Sequence, residues 1–299
     1  MSNITKVALA GATGNLGPTI LDQLLKAGFQ VTALTRQSSN HKFPESVTVK
    51  AVDYDSVESL TDALQGQDAV ISTLGAMALS KQLHLVEAAV KANVKRFIPS
   101  EFGSDTTNPK TAKLPVFADK IVVQEALKKE ASKGSITYTI IRTGPFFDWG
   151  MEFGLVLNVK EKIATLYDGG ERPFSTTTLE TIGKAVAGVL KNPEATKNRA
   201  VSVHDTAPTM KQLKAVAEKV TGTAWQGKEV SIENDVLPAA WAELKKENPD
   251  ENKFVIPFIC AAIFGEGYGG YFEKVDNEIL GLKEMTEAEV EAVVAKATK

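Results

Sequence analysis

One cysteine in 299 residues, Cys260, excludes an internal disulfide and leaves no second thiol for a zinc cluster. It sits in the apolar run Val255 to Phe264 and is expected in the core, so redox chemistry has to come from a cofactor. The three histidines, His41, His84 and His204, are too scattered to suggest a metal site, and no metal is expected. Neither sign of charge is in excess. With 34 basic and 37 acidic residues the net charge is −3, which excludes the basic surface that recruits nucleic acid. No apolar run reaches the length that spans a bilayer, and the first strand begins too near the start to leave room for a signal peptide. A cytoplasmic protein with no membrane or nucleic-acid partner is expected, as a monomer or homodimer. Repeats, low-complexity linkers and long charge runs are also missing.

What is present is an ordinary globular composition, 43% hydrophobic and 24% charged, and one distinctive segment near the N-terminus. In KVALAGATGNLG, Lys6 to Gly17, a β-like run passes directly into Gly11, Gly14 and Gly17 and then into a helical pattern with Ile20, Leu21, Leu24 and Leu25. Glycine at such a turn lets backbone approach a pyrophosphate, and the following helix aims free N–H groups at it. Thr13, Asn15 and Leu16 fill the same loop and are assigned to cofactor binding with the glycines. A second strand from Gln30 to Leu34 completes a βαβ unit.

Strands are expected near residues 6–10, 30–34, 47–51, 69–73, 95–99 and 137–142, with helices between them. Segments such as Ala69-Val-Ile-Ser and Tyr138-Thr-Ile-Ile are apolar on both faces, as in a sheet covered by helices on each side. The fold class is therefore α/β, a Rossmann-type doubly wound parallel sheet with a smaller α/β C-terminal substrate lobe. Residues 1–149 are assigned to the nucleotide-binding domain and 150–299 to the lobe, some of whose segments are expected to return to the sheet. In the second half, strands are expected near 164–167 and 200–204 and helices near 179–190, 210–220 and 237–246, with two more helices closing the chain.

In such a sheet the ligand lies at the carboxyl ends of the strands, so the residues just after each strand are the candidate site. These are Thr73, Leu74 and Gly75 after the fourth strand, Ser100, Glu101 and Phe102 after the fifth, and Gly144, Pro145 and Phe146 after the sixth. After the second strand an NAD protein usually carries an acidic residue for the ribose, whereas this chain has Thr35-Arg36. A guanidinium suits a 2′-phosphate, so NADP(H) is the expected cofactor. Gln37, Ser38 and Lys42 follow in a polar loop, and Asp53 falls where the adenine would rest.

The Tyr-x-x-x-Lys pair of typical short-chain dehydrogenases is missing: none of the five tyrosines has lysine four residues later, and Val116 precedes Lys120 at that spacing. Instead the chain resembles the atypical short-chain dehydrogenases grouped as NmrA-like or isoflavone-reductase-like proteins. The resemblance is carried by GATGNLG at 11–17, Arg36, Val52-Asp-Tyr-Asp55, Ile71-Ser-Thr-Leu-Gly75, Phe97-Ile-Pro-Ser-Glu-Phe-Gly-Ser-Asp105, Lys120 and Asp276-Asn-Glu-Ile-Leu-Gly-Leu282. It covers most of the chain and looks closer to fungal members. It implies an NADPH-dependent reductase of small aromatic compounds, isoflavone-, lignan- or phenylpropanoid-like or a fungal secondary metabolite. Lys120 is then the catalytic residue, placed near the nicotinamide and assisting proton transfer, either as a base or as a fixed positive charge. Two features depart from the plant members: Asn15-Leu16 replaces an aromatic and isoleucine, and Gln124 replaces arginine. Substrate identity therefore does not transfer with the resemblance.

Aromatic substrates call for aromatic walls, and Phe102, Phe146, Phe147, Trp149 and Phe153 with Met77 are assigned to them, closed from the C-terminal half by Phe264 or Tyr268. The glycine-rich run from Phe264 to Gly270 reads equally as a mobile lid or as a loop crossing close to other backbone. The same family also contains non-enzymatic NADP(H)-binding regulators, the alternative to an enzyme.

Overall fold

A computed structural model describes residues 3–299. Strands β1 (Lys6–Ala10), β2 (Gln30–Arg36), β3 (Thr48–Val52), β4 (Ala69–Ser72), β5 (Arg96–Ile98) and β6 (Thr137–Arg142) alternate with helices α1 (Gly17–Lys26), α2 (Val57–Leu64), α3 (Gln82–Lys91) and α4 (Ala118–Ser132). The chain then runs through α5 (Phe147–Glu152), β7 (Ile163–Tyr167), α6 (Leu179–Lys191), β8 (Arg199–Ser202), α7 (Met210–Thr221) and β9 (Gln226–Val230). Helices α8 (Leu237–Leu244), α9 (Val255–Phe264), α10 (Asn277–Leu280) and α11 (Glu287–Ala297) complete it, so three helices rather than two follow residue 246.

Seven strands form one parallel sheet in the order β3-β2-β1-β4-β5-β6-β8, whose direction of winding reverses between β1 and β4. The apolar residues of β1 and β4 are buried throughout because helices cover both faces, as expected for this class. Ile20, Leu21 and Leu24 of α1 pack into the core on one face together with Ile182, Val186 and Val189 of α6. Leu60, Leu85, Val123 and Leu127 of α2, α3 and α4 fill the other. Strand β8 and helix α6 thus return from the second half of the chain to the layers built by the first half. Gly183 of α6 makes this approach possible, since a Cβ there would lie 2.7 Å from Gln23 of α1.

The remaining segments build a second core around Phe147, Phe174, Leu213, Trp225, Ile232 and Phe258, beside the parallel pair β7 and β9. Strand β9 reads Gln-Gly-Lys-Glu-Val and is mostly exposed, so nothing in its own pattern marks it as a strand. Cys260 is buried here. Burial pushes its thiol up to about 11, and the Tyr167 hydroxyl donates to Sγ at 3.3 Å, which leaves it a poor nucleophile.

The N-terminal ends of the central strands are tied by Asp68, just ahead of β4. It accepts from the backbone N–H groups of Thr5 and Lys6, each at 2.9 Å, and from Lys95 Nζ at 2.6 Å. Burial works to raise its pKa, but these bonds overcome it and hold the carboxyl well below the usual carboxylate range. A depressed pKa stabilises the fold above the unfolded value, about 3.9, and the contribution fades as pH falls through the folded value. Asp68→Asn is therefore expected to cost about 1–3 kcal/mol at neutral pH. Urea unfolding should show the gap from wild type shrinking steadily as the buffer is taken below about pH 4.

Candidate functional site

A groove of about 850 Å³ opens at the carboxyl ends of β1, β2, β3 and β4, over the switch point of the sheet. It gathers Gly11, Thr13, Gly14, Arg36, Asp53, Thr73, Leu74 and Gly75 of the expected cofactor residues, with Gln37 and Ser38. Tyr54, next to Asp53 at the expected adenine position, lines it as well, and so do His41, Asp55 and Lys81, which sequence reasoning did not assign. Asp55 and Lys81 form an ion pair at its wall.

The glycines divide by function. At Gly11, where φ is +81°, a Cβ would lie 2.6 Å from the Thr73 carbonyl, and at Gly17 it would fall on the Gly11 carbonyl. Both are therefore demanded by the turn itself. Thr73 fixes that turn, its hydroxyl donating to Ala10 O at 2.9 Å. Gly14 is different, because its Cβ would meet the Gly11 carbonyl at 3.4 Å and the Thr73 carbonyl at 3.9 Å, ordinary contacts, and at Gly75 it would meet nothing within 4 Å. These two line the groove with bare backbone that the protein's own packing does not require, which fits a cradle for a pyrophosphate. Gly17→Ala should cost about 1–3 kcal/mol of stability by overpacking. Gly14→Ala should leave the melting curve almost unchanged while weakening dinucleotide binding, read by calorimetric titration.

The other expected cofactor residues fall outside the groove. Leu16 is buried in the core at the start of α1, Gly17 is its first residue, and Asn15 is exposed. Lys42 lines an adjoining cavity of about 340 Å³ between α1 and the loop His41 to Pro44, which shares Thr13 and His41 with the groove.

From Leu74 a chain of contacts leads to the lysine. The Ser100 hydroxyl donates to the Leu74 carbonyl at 2.8 Å, and the carbonyl of the next residue, Glu101, accepts from Lys120 Nζ at 2.5 Å. Lys120 lies in the first turn of α4, its ammonium 5.9 Å from the centre of the Phe117 ring. Burial pulls its pKa below the ordinary lysine value, against the opposing pull of the Glu101 charge. The Glu101 side chain is itself buried, accepting from Thr106 Oγ1 at 2.8 Å and from Gln124 Nε2 at 2.9 Å. Lys120 and Gln124, one turn apart on α4, thus grip the carbonyl and the carboxylate of one residue. The spacing of the two was legible in the sequence, but their shared partner was not.

Phe102 follows with φ of +27°, a left-handed conformation that costs a bulky residue roughly 1–3 kcal/mol. It is held by its burial and by Gly103, whose carbonyl accepts from Thr143 N at 3.1 Å and Gly144 N at 3.0 Å. Gly144, at φ +62°, passes so close to Ser175 that no side chain fits there, and the Pro145 carbonyl accepts from Thr176 Oγ1 at 2.8 Å. Residues 143–146 are therefore fixed backbone beside the lysine's loop.

The aromatic residues separate into two sets. Phe146, Trp149 and Phe153 form a ladder along α5, with ring centres 6.1 Å apart for the first pair and 4.3 Å for the second. Phe153 is 63% exposed, and Met77 is 87% exposed. Phe147, Phe264 and Tyr268 instead lie in the second core: Phe264 stacks on Tyr167 at 4.5 Å, and none of the three presents a free wall. The glycine-rich run after Phe264 crosses close to other backbone. Asn108 and Lys110 donate to the carbonyls of Gly267 and Glu266, and Thr111 to that of Tyr268, which ties the run down. Among the described residues no cluster of three metal-ligating side chains occurs, and no helix is long and apolar enough to cross a membrane.

Fold and groove together define a Rossmann-type α/β protein with a glycine-lined site at the switch point of its sheet. More particularly, the chain belongs to the NmrA-like family, whose profile it matches over residues 3–245. It is 36% identical to the oxidoreductase aprR of Aspergillus flavus over 97% of this chain and 99% of that protein. Among solved structures it resembles AtPrR2 with NADP+ and (+)-pinoresinol, with a TM-score of 0.76 and 21% identity over 99% of this chain and 100% of that one. The ternary complex of leucoanthocyanidin reductase from Vitis vinifera gives 0.75 and 21%, over 98% and 100%.

Proposed function

We propose that this protein is an NADPH-dependent reductase of a small aromatic substrate, with Lys120 as its catalytic residue. The observation that carries the reading is the half-buried Lys120, its ammonium held on the Glu101 carbonyl at the end of a contact chain that starts in the glycine-lined groove. The oxidoreductase relative and the NADP-bound relatives in structure support the redox class and the cofactor. Bound in the groove, NADPH supplies the hydride. Gly11, Thr13, Gly14, Thr73, Leu74 and Gly75 hold its phosphates and ribose, Arg36 takes the 2′-phosphate, and Asp53 lies beside the adenine. Ser100, Glu101 and Phe102 with the fixed backbone of Gly144, Pro145 and Phe146 border the nicotinamide end.

Lys120 holds a proton on Nζ and places positive charge where oxygen becomes negative as the substrate is reduced. Its partial burial matters because a charge acts more strongly where less water screens it. The ladder of half-buried Phe146 and Trp149 and exposed Phe153, with Met77, offers an apolar wall to an aromatic ring. Phe102 is buried beside it, and the core positions of Phe147, Phe264 and Tyr268 give them the role of backing the wall.

The test is NADPH oxidation by the purified protein across aromatic ketones, enones, isoflavones, lignans and benzylic ethers. Turnover of one class supports the reading. Tight NADPH binding with no turnover on any class favours a regulator that binds cofactor and reports its state to a protein partner.

A further inference from the structure

The loop after β2 carries a group that the cofactor assignment leaves unused. Of the three histidines, His84 Nδ1 lies 3.0 Å from the Tyr54 carbonyl, and buried His204 Nδ1 lies 2.9 Å from Ser175 Oγ. His41 is exposed, and it is the histidine that lines both the groove and the adjoining cavity. Its position is fixed from either side. Ser39 N donates to the Arg36 carbonyl at 2.9 Å before it, and after it Phe43 packs on the core and Val47 N donates to the Pro44 carbonyl at 2.9 Å. The loop thus leaves the end of β2 at Arg36 and brings His41 back to the rim of the same groove.

The charges around this ring are Arg36, Lys81, Asp53 and Asp55 along the groove and Lys42 and Asp22 along the cavity. The acidic members have partners of their own: Asp55 pairs with Lys81, Asp22 lies 2.6 Å from Lys26 Nζ, and Asp53 Oδ1 accepts from the backbone of Asp55 at 2.9 Å. Arg36, Ser38, Ser39 and His41 line the same groove within one six-residue stretch, and a guanidinium, two hydroxyl-bearing residues and an imidazole are a set suited to a dianion.

We propose that His41 is a second, pH-dependent determinant of cofactor choice: its protonated ring shares the adenosine 2′-phosphate with Arg36, so preference for NADPH over NADH strengthens as the ring gains a proton. The assignment rests on the placing of that phosphate at Arg36. Histidine is the side chain whose charge changes near neutrality, and a phosphate that binds the charged ring is held less well as pH rises. The phosphate's own second proton, lost near about pH 6, acts equally on wild type and variant and cancels in their ratio.

The experiment measures Kd for NADPH and NADH by fluorescence titration at about pH 6 and about pH 8.5, with 2′,5′-ADP and 5′-AMP as competitors lacking the nicotinamide. His41→Asn should weaken NADPH and 2′,5′-ADP about three- to tenfold at the lower pH and less than about twofold at the higher, leaving NADH and 5′-AMP unchanged. His41→Lys should keep NADPH tight at both pH values, leaving only the dependence that comes from the phosphate's own second proton. Losses independent of pH, or shared equally by NADPH and NADH, overturn the proposal. If Arg36→Glu fails to separate the two cofactors, the phosphate is not at this rim and both assignments fall. If it separates them while His41→Asn changes nothing, only the role of His41 falls.

Discussion

Lys120→Ala should lower turnover of a reducible substrate by a factor of about 10²–10³, the usual worth of a donor placed on a developing oxyanion. NADPH affinity should stay within about threefold, a difference under about 1 kcal/mol. The separation is expected because Lys120 touches the Glu101 carbonyl and the Phe117 ring rather than the glycine-lined half of the groove. Stopped-flow reduction alongside equilibrium NADPH titration reads both quantities on one preparation. A variant that loses cofactor binding and turnover in the same proportion would show the lysine to be a cofactor anchor and not a participant in the chemical step. Fold integrity is not at stake, since the ammonium is bonded to one carbonyl that borders the site.

The second large effect is expected at Arg36. This exposed residue closes β2, pairs in register with Val52 of β3 and lines the groove. Charge-assisted bonds to a phosphate are worth about 1.5–3 kcal/mol, so Arg36→Glu should weaken NADPH by about 10- to 150-fold, and more at low salt where the new repulsion is unscreened. NADH, which lacks the 2′-phosphate, should change by less than about threefold. The ratio of the two dissociation constants is the informative number, because a distorted β2 would depress both together.

The sheet was legible because its strands are short and apolar on both faces and its first turn needs glycine in a recognisable spacing. Six expected strands fall within a residue or two of β1 to β6, and the return of part of the second half to the sheet is seen in α6 and β8. Strand β9 was not legible. Its side chains are polar and exposed, and only pairing with β7, some sixty positions earlier, makes it a strand. The glycine loop, Arg36, Asp53 and residues 73–75 meet in one groove because all follow strand ends, a rule of topology that sequence order exposes. His41 escaped notice because its loop doubles back, which no local pattern records. The hold on Glu101 by Gln124 and Thr106 escaped for a similar reason: a buried carboxylate gives no sign in sequence of which neutral side chains will satisfy it. Phe147, Phe264 and Tyr268 show the reverse error, since an aromatic near a site packs into a core as readily as it faces a ligand.

The late return of β8 bears on how the protein is made. As the chain leaves the ribosome, β6 emerges with one edge bare, and the apolar face of α1 lacks α6, its neighbour in the finished core. An N-terminal half released at that stage is an unfinished sheet with an adhesive edge, which β8 covers only once the chain as far as residue 202 has left the ribosome.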